Sequence, residues 1–182
     1  MPAAFARFEM TDLPADLAAI LRPRVERLGY LGEFFKCAAH QPQALLSFMR
    51  FTDDLKDALP NTLTEVVALT VAGTMRNDYE RHQHERLCRT LGFGDAWIRA
   101  VEALQPDTDD VMADDERRAQ RLVLAVLANN GHGVQAELAA VIETVGPAQA
   151  MAVLMLIGRY ATHAFIVNAL QLTPPVPSIF EP

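Results

Sequence analysis

The sequence predicts an all-α protein, and three observations support that prediction. Apolar residues recur at spacings of three and four through nearly every segment of the 182-residue chain, which is the period of an amphipathic helix. No window shows the sustained alternation of apolar and polar residues that marks a half-buried strand. Glycine or proline stands between most of the periodic segments, where helices are expected to begin and end.

The composition suits one domain and excludes several kinds of partner. With 182 residues, 51% of them hydrophobic, the chain is long enough to bury a sizeable core, so we expect a single all-helical domain over residues 1–182. A net charge of −7 without any basic run argues against nucleic acid and against anionic membrane surfaces. Small negatively charged substrates are not excluded, because a local arginine can override the net charge.

The same sequence gives no sign of a membrane segment or a secretion signal. Its longest apolar stretch, residues 148–158, is too short to span a bilayer. Residues 1–10 lack an apolar run of signal-peptide length. We therefore expect a cytoplasmic protein, in which Cys37 and Cys88 are buried thiols rather than a disulfide.

The N-terminal third is predicted to form three helices. Residues 13–29 carry one apolar stripe that ends at Gly29, and Pro23 weakens this pattern, which leaves either one helix or two. Residues 33–58 read as two helices divided near Pro42.

The rest of the chain is predicted to be helical up to a proline-rich tail. A mostly buried helix follows Pro60, with Asn61 or Thr62 as its cap. The remaining helices are expected within residues 76–92, 94–104, 113–131, 133–146 and 147–171, and the tail covers 173–182. The segment from Ala148 to Leu170 is apolar nearly all round, so we expect it to be central or at a subunit interface.

One predicted helix gathers polar residues on a single face. Asn77, Glu80, His84 and Cys88 are spaced three, four and four apart, so they share one side of a helix. The preceding helix carries Glu65 among apolar neighbours, where a carboxylate needs a partner. If the two helices fold back on each other, Glu65 meets His84, and a carboxylate that orients an imidazole is a common proton-transfer group.

The same residues also have a purely structural interpretation. Asn77 and Glu80 resemble a helix cap and its third residue, which explains both without chemistry. Glu80 and His84 have a ligand-like spacing, but no further histidine motif completes a site, so no metal is predicted. Cys88 reads as a core thiol with no resolving cysteine nearby.

The last helix offers two further candidates for a substrate-binding pocket. Tyr160 and His163 lie one turn apart and would line the site if this helix packs across residues 77–91; otherwise they are bonded core residues. Arg159 is expected at an interface or on the surface. His82 and His132 read as exposed.

Two segments resemble a known family. The order Glu65, Asn77, Glu80, His84 within "LTEVVALTVAGTMRNDYERHQHERLCRTLGF", together with "MLIGRYATHAFIVNALQL" at residues 155–172, is similar to the carboxymuconolactone decarboxylase / alkylhydroperoxidase D superfamily. The resemblance covers about residues 40–175. It implies an alkylhydroperoxidase D-like helical domain that assembles as a homo-oligomer, a trimer or a hexamer, with its site near a subunit interface.

The resemblance also implies what chemistry to expect. Peroxidase members carry a Cys-x-x-Cys pair where this chain has Asn77 and Glu80, so a thiol–disulfide cycle lacks both of its sulfurs. Glu80 with His84 retained is similar to the decarboxylase-like branch, which acts on small carboxylated lactones. By analogy His84 would donate or shuttle a proton and Glu65 would orient it.

In the same analogy Glu80 would be a second acid or a substrate anchor, and Asn77 would donate a hydrogen bond to an oxyanion. No cofactor is implied. The same residues could instead run lactone hydrolysis or enol–keto isomerisation. A non-catalytic or ligand-binding helical protein is the alternative, and a thiol peroxidase using Cys88 is a third option.

Overall fold

The computed structural model describes residues 5–180, and within them it has eight α-helices, one 3-10 turn and no strand. The predicted all-α class is confirmed. The 3-10 turn covers Met10–Asp12, and the helices are α1 Ala15–Leu28, α2 Glu33–Ala38, α3 Pro42–Asp57, α4 Asn61–Thr74, α5 Asp78–Thr90, α6 Asp95–Glu102, α7 Asp114–Asn129 and α8 Gln135–Ala169.

The chain divides into two compact units between Asp54 and Leu55. In the first unit, α1 runs through Pro23 without a break, so the segment forms one helix rather than two. Pro23 removes one helical hydrogen bond, but Leu17 and Leu21 on the same helix are fully buried, and their packing stabilises the continuous helix. Gly29 ends it in the left-handed conformation, with φ +81°, which a glycine adopts without strain.

Helix α4 is the centre of the second unit. Every residue from Leu63 to Ala72 is buried, and the helix packs against α5, α6, α7 and α8. It begins at Asn61 directly after Pro60, and no side chain caps it. The prediction of Asn61 or Thr62 as the cap is therefore wrong, because Pro60 already occupies the capping position.

Helix α8 is interrupted at Gly146, whose backbone is non-helical with φ +81°. Pro147 follows and starts the second segment, as a proline at a first helical turn does. By length and composition α8 is the one described helix that could cross a membrane, and 33% of its most apolar window is buried within the protein. Because core helices of soluble proteins meet the same criterion, this is weak evidence, and cytoplasmic localisation stays a prediction.

The C-terminal tail lies along α5 within the second unit. His82 Nδ1 lies 3.1 Å from the carbonyl oxygen of Val176, and Arg86 donates to the carbonyl of Pro177 at 3.0 Å. His82 is therefore buried, and the prediction that it is exposed is wrong, while His132 is exposed. Residues 181 and 182 of the predicted tail, and residues 1–4 of the segment searched for a signal, lie outside the described residues.

Candidate active site

The first turn of α5 is capped by Asn77, as its spacing from Glu80 predicts. Asn77 Oδ1 accepts a hydrogen bond from the Glu80 backbone N–H at 3.2 Å. The Glu80 side chain takes part in ion pairs with Arg159 and with two histidines. That face of α5 is turned inward, and Asn77, Glu80, His84 and Cys88 are all buried.

Helices α4 and α5 bring Glu65 and His84 together. Glu65 Oε2 lies 2.5 Å from His84 Nδ1, a short distance for a charge-assisted hydrogen bond. Glu65 is 2% exposed and His84 is 6% exposed. The carboxylate therefore fixes the orientation of the imidazole and leaves Nε2 as its other polar atom.

Glu80 stands on the opposite side of the imidazole. Its Oε1 lies 3.5 Å from His84 Nε2 and accepts a hydrogen bond from Arg159 at 3.0 Å. Its Oε2 lies 3.3 Å from His163 Nε2. Three basic side chains thus surround one buried carboxylate.

The two carboxylates determine the charge of His84. Burial, the largest influence, lowers the pKa of His84, but the charge and hydrogen bond of Glu65, with those of Glu80, outweigh it and raise the pKa above its ordinary value of 6.5. Burial likewise acts to raise the pKa of Glu65, and the His84 charge reverses this and lowers it. His84 therefore stays an imidazolium to a higher pH than a free histidine does, between two carboxylates.

Burial determines the direction of the pKa shift of His163 but not that of Glu80, the two groups farther along the site. It lowers the pKa of His163 to about 4, helped by the nearby positive charges of Arg159 and His84, although Glu80 acts against it. For Glu80, burial acts to raise the pKa, but His163, His84 and Arg159 outweigh it and hold the pKa well below 4.5. At neutral pH, His163 is therefore neutral and Glu80 ionised.

Two further residues of this cluster are buried against the imidazole and its partner. The Tyr160 ring packs edge-on against His84, with centroids 5.4 Å apart, and its buried hydroxyl has no hydrogen-bond partner among the described residues. The Cys88 thiol lies 3.6 Å from Glu65 Oε2. Burial first, and then the Glu65 charge, raise the Cys88 pKa far above the ordinary range.

The structure therefore brings together all six residues predicted for the site, which are Glu65, Asn77, Glu80, His84, Tyr160 and His163. Arg159, predicted at an interface or on the surface, is 7% exposed and forms an ion pair with Glu80 within the chain. A buried carboxylate such as Glu80 needs a cation, and Arg159, one residue before Tyr160 on the predicted core helix, was the available signal. The catalytic and binding roles stay predictions.

Nothing in the described part of the chain resembles a metal centre. Among residues 5–180, no group of three histidine, cysteine, aspartate or glutamate side chains is arranged to hold a metal ion. Both cysteines, Cys37 and Cys88, are free and buried.

No family model and no curated protein matches this sequence. Solved structures do match it in fold. An uncharacterised peroxidase-related protein from Ralstonia eutropha JMP134, with an alkylhydroperoxidase AhpD core, is 16% identical; the match covers 94% of this chain and 93% of that chain, with a TM-score of 0.78. The debrominase Bmp8 in complex with 2,3,4-tribromopyrrole is 15% identical, with 95% and 92% covered and a TM-score of 0.75.

A third similar structure is an Agrobacterium tumefaciens protein of unknown function, described as a putative antioxidant defence protein AhpD. It is 14% identical over 77% of this chain and 96% of that chain, with a TM-score of 0.67. Identities this low establish the shared fold and leave the activity open. The chain therefore has the alkylhydroperoxidase D-like helical fold that its two sequence segments predict.

Proposed function

We propose that this protein is an acid–base enzyme similar to carboxymuconolactone decarboxylase, which delivers a proton from His84 to a small carboxylated substrate. The observation that carries the proposal is the imidazole of His84 held between Glu65 and Glu80 at 2.5 and 3.5 Å. Such flanking carboxylates stabilise the imidazolium form. The result is a proton donor that stays charged to a higher pH than a free histidine.

In the proposed reaction, the C–C bond to the substrate carboxylate breaks and carbon dioxide leaves. The electron pair remains on the adjacent carbon as an enolate, which the Arg159 guanidinium and the His84 imidazolium stabilise. His84 Nε2 then transfers its proton to that carbon, and the imidazole regains a proton from water. Glu65 keeps the ring oriented through Nδ1 during both transfers. The same donor would serve lactone hydrolysis or enol–keto isomerisation.

Arg159 supplies the cation that a carboxylated substrate requires. Its Nη1 bonds the same Glu80 oxygen that faces His84 Nε2. A substrate carboxylate placed at that position would contact both the guanidinium and the imidazolium. Glu80 therefore marks where an anion is held next to the proton donor, which supports small carboxylates as the substrate class.

The state of Cys88 argues against a thiol peroxidase. A peroxidatic cysteine reacts as its thiolate, whereas burial and the Glu65 carboxylate raise the pKa of Cys88 and keep it protonated. Asn77 and Glu80 stand at the two positions of the cysteine pair. The peroxide-dependent cycle therefore lacks an activated sulfur in this part of the chain.

A non-catalytic helical protein is the second candidate, and the low exposure of the site supports it. Glu80 and His84 are each 6% exposed, and Glu80 Oε1 already faces the free nitrogen of His84. If Glu80 never leaves that position, the cluster is a buried ion network without a substrate. Assembly as a homo-oligomer with a small-molecule partner remains part of the first proposal.

The test is turnover by wild-type protein and by a His84→Gln variant on a panel of carboxylated lactones and β-keto acids, followed as carbon dioxide release. Loss of the proton donor should lower kcat by about 10²–10⁴-fold. His132→Gln is the matched control, because it makes the same change at an exposed histidine and should keep wild-type turnover.

Equal turnover in the His84→Gln and His132→Gln proteins would remove His84 from the mechanism. Absence of turnover in the wild-type protein on every substrate of the panel would favour the non-catalytic candidate. Circular dichroism and oligomer size, measured on all three proteins, separate a lost donor from a lost fold.

A further inference from the structure

The Asn77 side chain is held at both ends of its amide. It is 1% exposed; Oδ1 accepts the Glu80 backbone N–H at 3.2 Å, and Nδ2 lies 3.2 Å from His163 Nδ1. The backbone N–H is only a donor, so the amide oxygen must face it. The amide N–H is therefore directed at His163 by the requirement to cap the helix.

This orientation selects one tautomer of His163. Because Nδ1 faces an N–H donor, it must keep its lone pair and cannot carry the proton. Nε2 faces Glu80 Oε2 at 3.3 Å, and an ionised carboxylate can only accept. Both neighbours thus place the single proton on Nε2.

The charges around the ring exclude a second proton at neutral pH. Glu80 on α5 is the carboxylate facing His163, and Arg159 and His84 are the nearby cations. With Glu65, these groups balance as two negative and two positive charges when His84 is protonated. A protonated His163 would add an uncompensated buried charge, in keeping with its pKa of about 4.

We propose that Asn77 is a positioning residue: by capping α5 it locks His163 in the Nε2–H tautomer, which holds Glu80 Oε2 and keeps Oε1 directed at His84. The proposed function enters only through the roles of Glu80 and His84. Asn77 is 1% exposed and both ends of its amide contact protein groups, so the residue acts on the reaction through His163 and Glu80 rather than by contact with substrate.

The test uses ¹⁵N-histidine-labelled full-length protein and two-bond ¹H–¹⁵N correlation spectra across a pH series, with His163 assigned by a His163→Gln variant. At pH 7 the wild-type ring should be neutral and protonated on Nε2. In Asn77→Asp the carboxylate still caps the helix but offers no N–H to Nδ1. His163 should therefore bind a second proton at Nδ1, which moves the His163 titration upward by about one to three pH units.

Asn130→Asp is the matched control, because it makes the same substitution at an exposed residue, and it should leave the His163 titration unchanged. A wild-type His163 protonated on Nδ1, or an Asn77→Asp titration equal to that of the control, overturns the proposal. If Asn77→Asp does not fold, the tautomer of His163 in the wild-type protein still tests the proposal. None of these spectra requires turnover, so failure of the proposed function and failure of this inference are distinguishable.

Discussion

Helix α5 carries two buried glutamates five residues apart, and their surroundings differ. Five helical residues turn the chain through roughly 140°, so Glu80 and Glu85 lie on different faces. Glu80 meets Arg159, His84 and His163. Glu85 is fully buried, and its Oε2 accepts hydrogen bonds from Ser178 Oγ at 2.7 Å and the Ile179 N–H at 2.8 Å.

The difference shows in the pKa values. On the first face, cations hold the pKa of Glu80 well below its ordinary value. On the second face, Glu85 interacts with another carboxyl group, that of Glu102, and the nearest cation contact is Arg81 at 3.6 Å. Burial, followed by the charge and hydrogen bond of Glu85, raises the pKa of Glu102 to about 7.

The same residue type therefore serves two purposes on one helix. Where cations surround the carboxylate, it stays charged and holds an imidazolium, which suits proton transfer. Where Glu85 lies near a second carboxyl group, burial and the Glu85 charge favour the protonated form of Glu102, while Glu85 itself anchors the tail. The substitutions below are ordered by expected effect and test whether the cations make this difference.

Removing the cation from the first face should have the largest effect. Arg159→Met leaves the buried Glu80 charge without its ion-pair partner, and breaking such a pair costs about 3–5 kcal/mol. Urea unfolding at pH 7 measures the loss. Arg121→Met is the matched control: its ion pair with Asp107 is largely solvent-exposed, so it should lose only about 0.5 kcal/mol.

The double variant Arg159→Met/Glu80→Leu sharpens this test. Removing both charges should recover most of the stability, because no unpaired charge remains buried. A double variant as unstable as Arg159→Met alone would show that packing of the arginine, rather than charge, matters at this position.

Removing the tail anchor should have an intermediate effect. Glu85→Ala leaves the Ser178 hydroxyl and the Ile179 N–H without their acceptor, so we expect a loss of about 2 kcal/mol. Hydrogen exchange at Ile179 and Phe180 should become faster. Glu143→Ala removes an ion pair with Arg118 that is largely solvent-exposed, so it should lose only about 0.5 kcal/mol and leave hydrogen exchange at Ile179 and Phe180 unchanged.

Neutralising Glu102 should have the smallest effect and the opposite sign. Because its pKa rises from 4.5 to about 7 on folding, the folded protein binds more protons than the unfolded chain between these pH values, and stability falls as the pH rises. Glu102→Gln removes this decline and should stabilise the protein at pH 8 by about 1 kcal/mol, after allowance for its partial exposure.

At pH 4.5 the Glu102→Gln variant should have the same stability as the wild type, since both are then uncharged at this position. Urea unfolding at the two pH values makes the comparison. The exposed substitution Glu26→Gln should follow the wild type at both. A gain at pH 8 no larger than that of Glu26→Gln would mean that burial and the Glu85 charge do not raise the pKa of Glu102.

Much of the first face could be predicted before any coordinates. The spacing of Asn77, Glu80 and His84 is a local property of one helix. The position of Glu65 among apolar residues indicated that its carboxylate would have a partner. The second face could not be predicted in this way. His82 was predicted to be exposed, and Glu85 was not identified, because nothing local indicated that residues 176–180 would return to cover them.

By itself, then, the sequence determined the helical class, most helix limits and the shared face of the candidate site, because each depends on residues within a few positions of one another. The tertiary structure decided which charges meet. It buried Arg159 beside Glu80 and placed the tail against Glu85. The sequence separation is 79 positions in the first pairing and 94 in the second. Helical periodicity reports which face is buried, but the charge opposite that face comes from a distant segment.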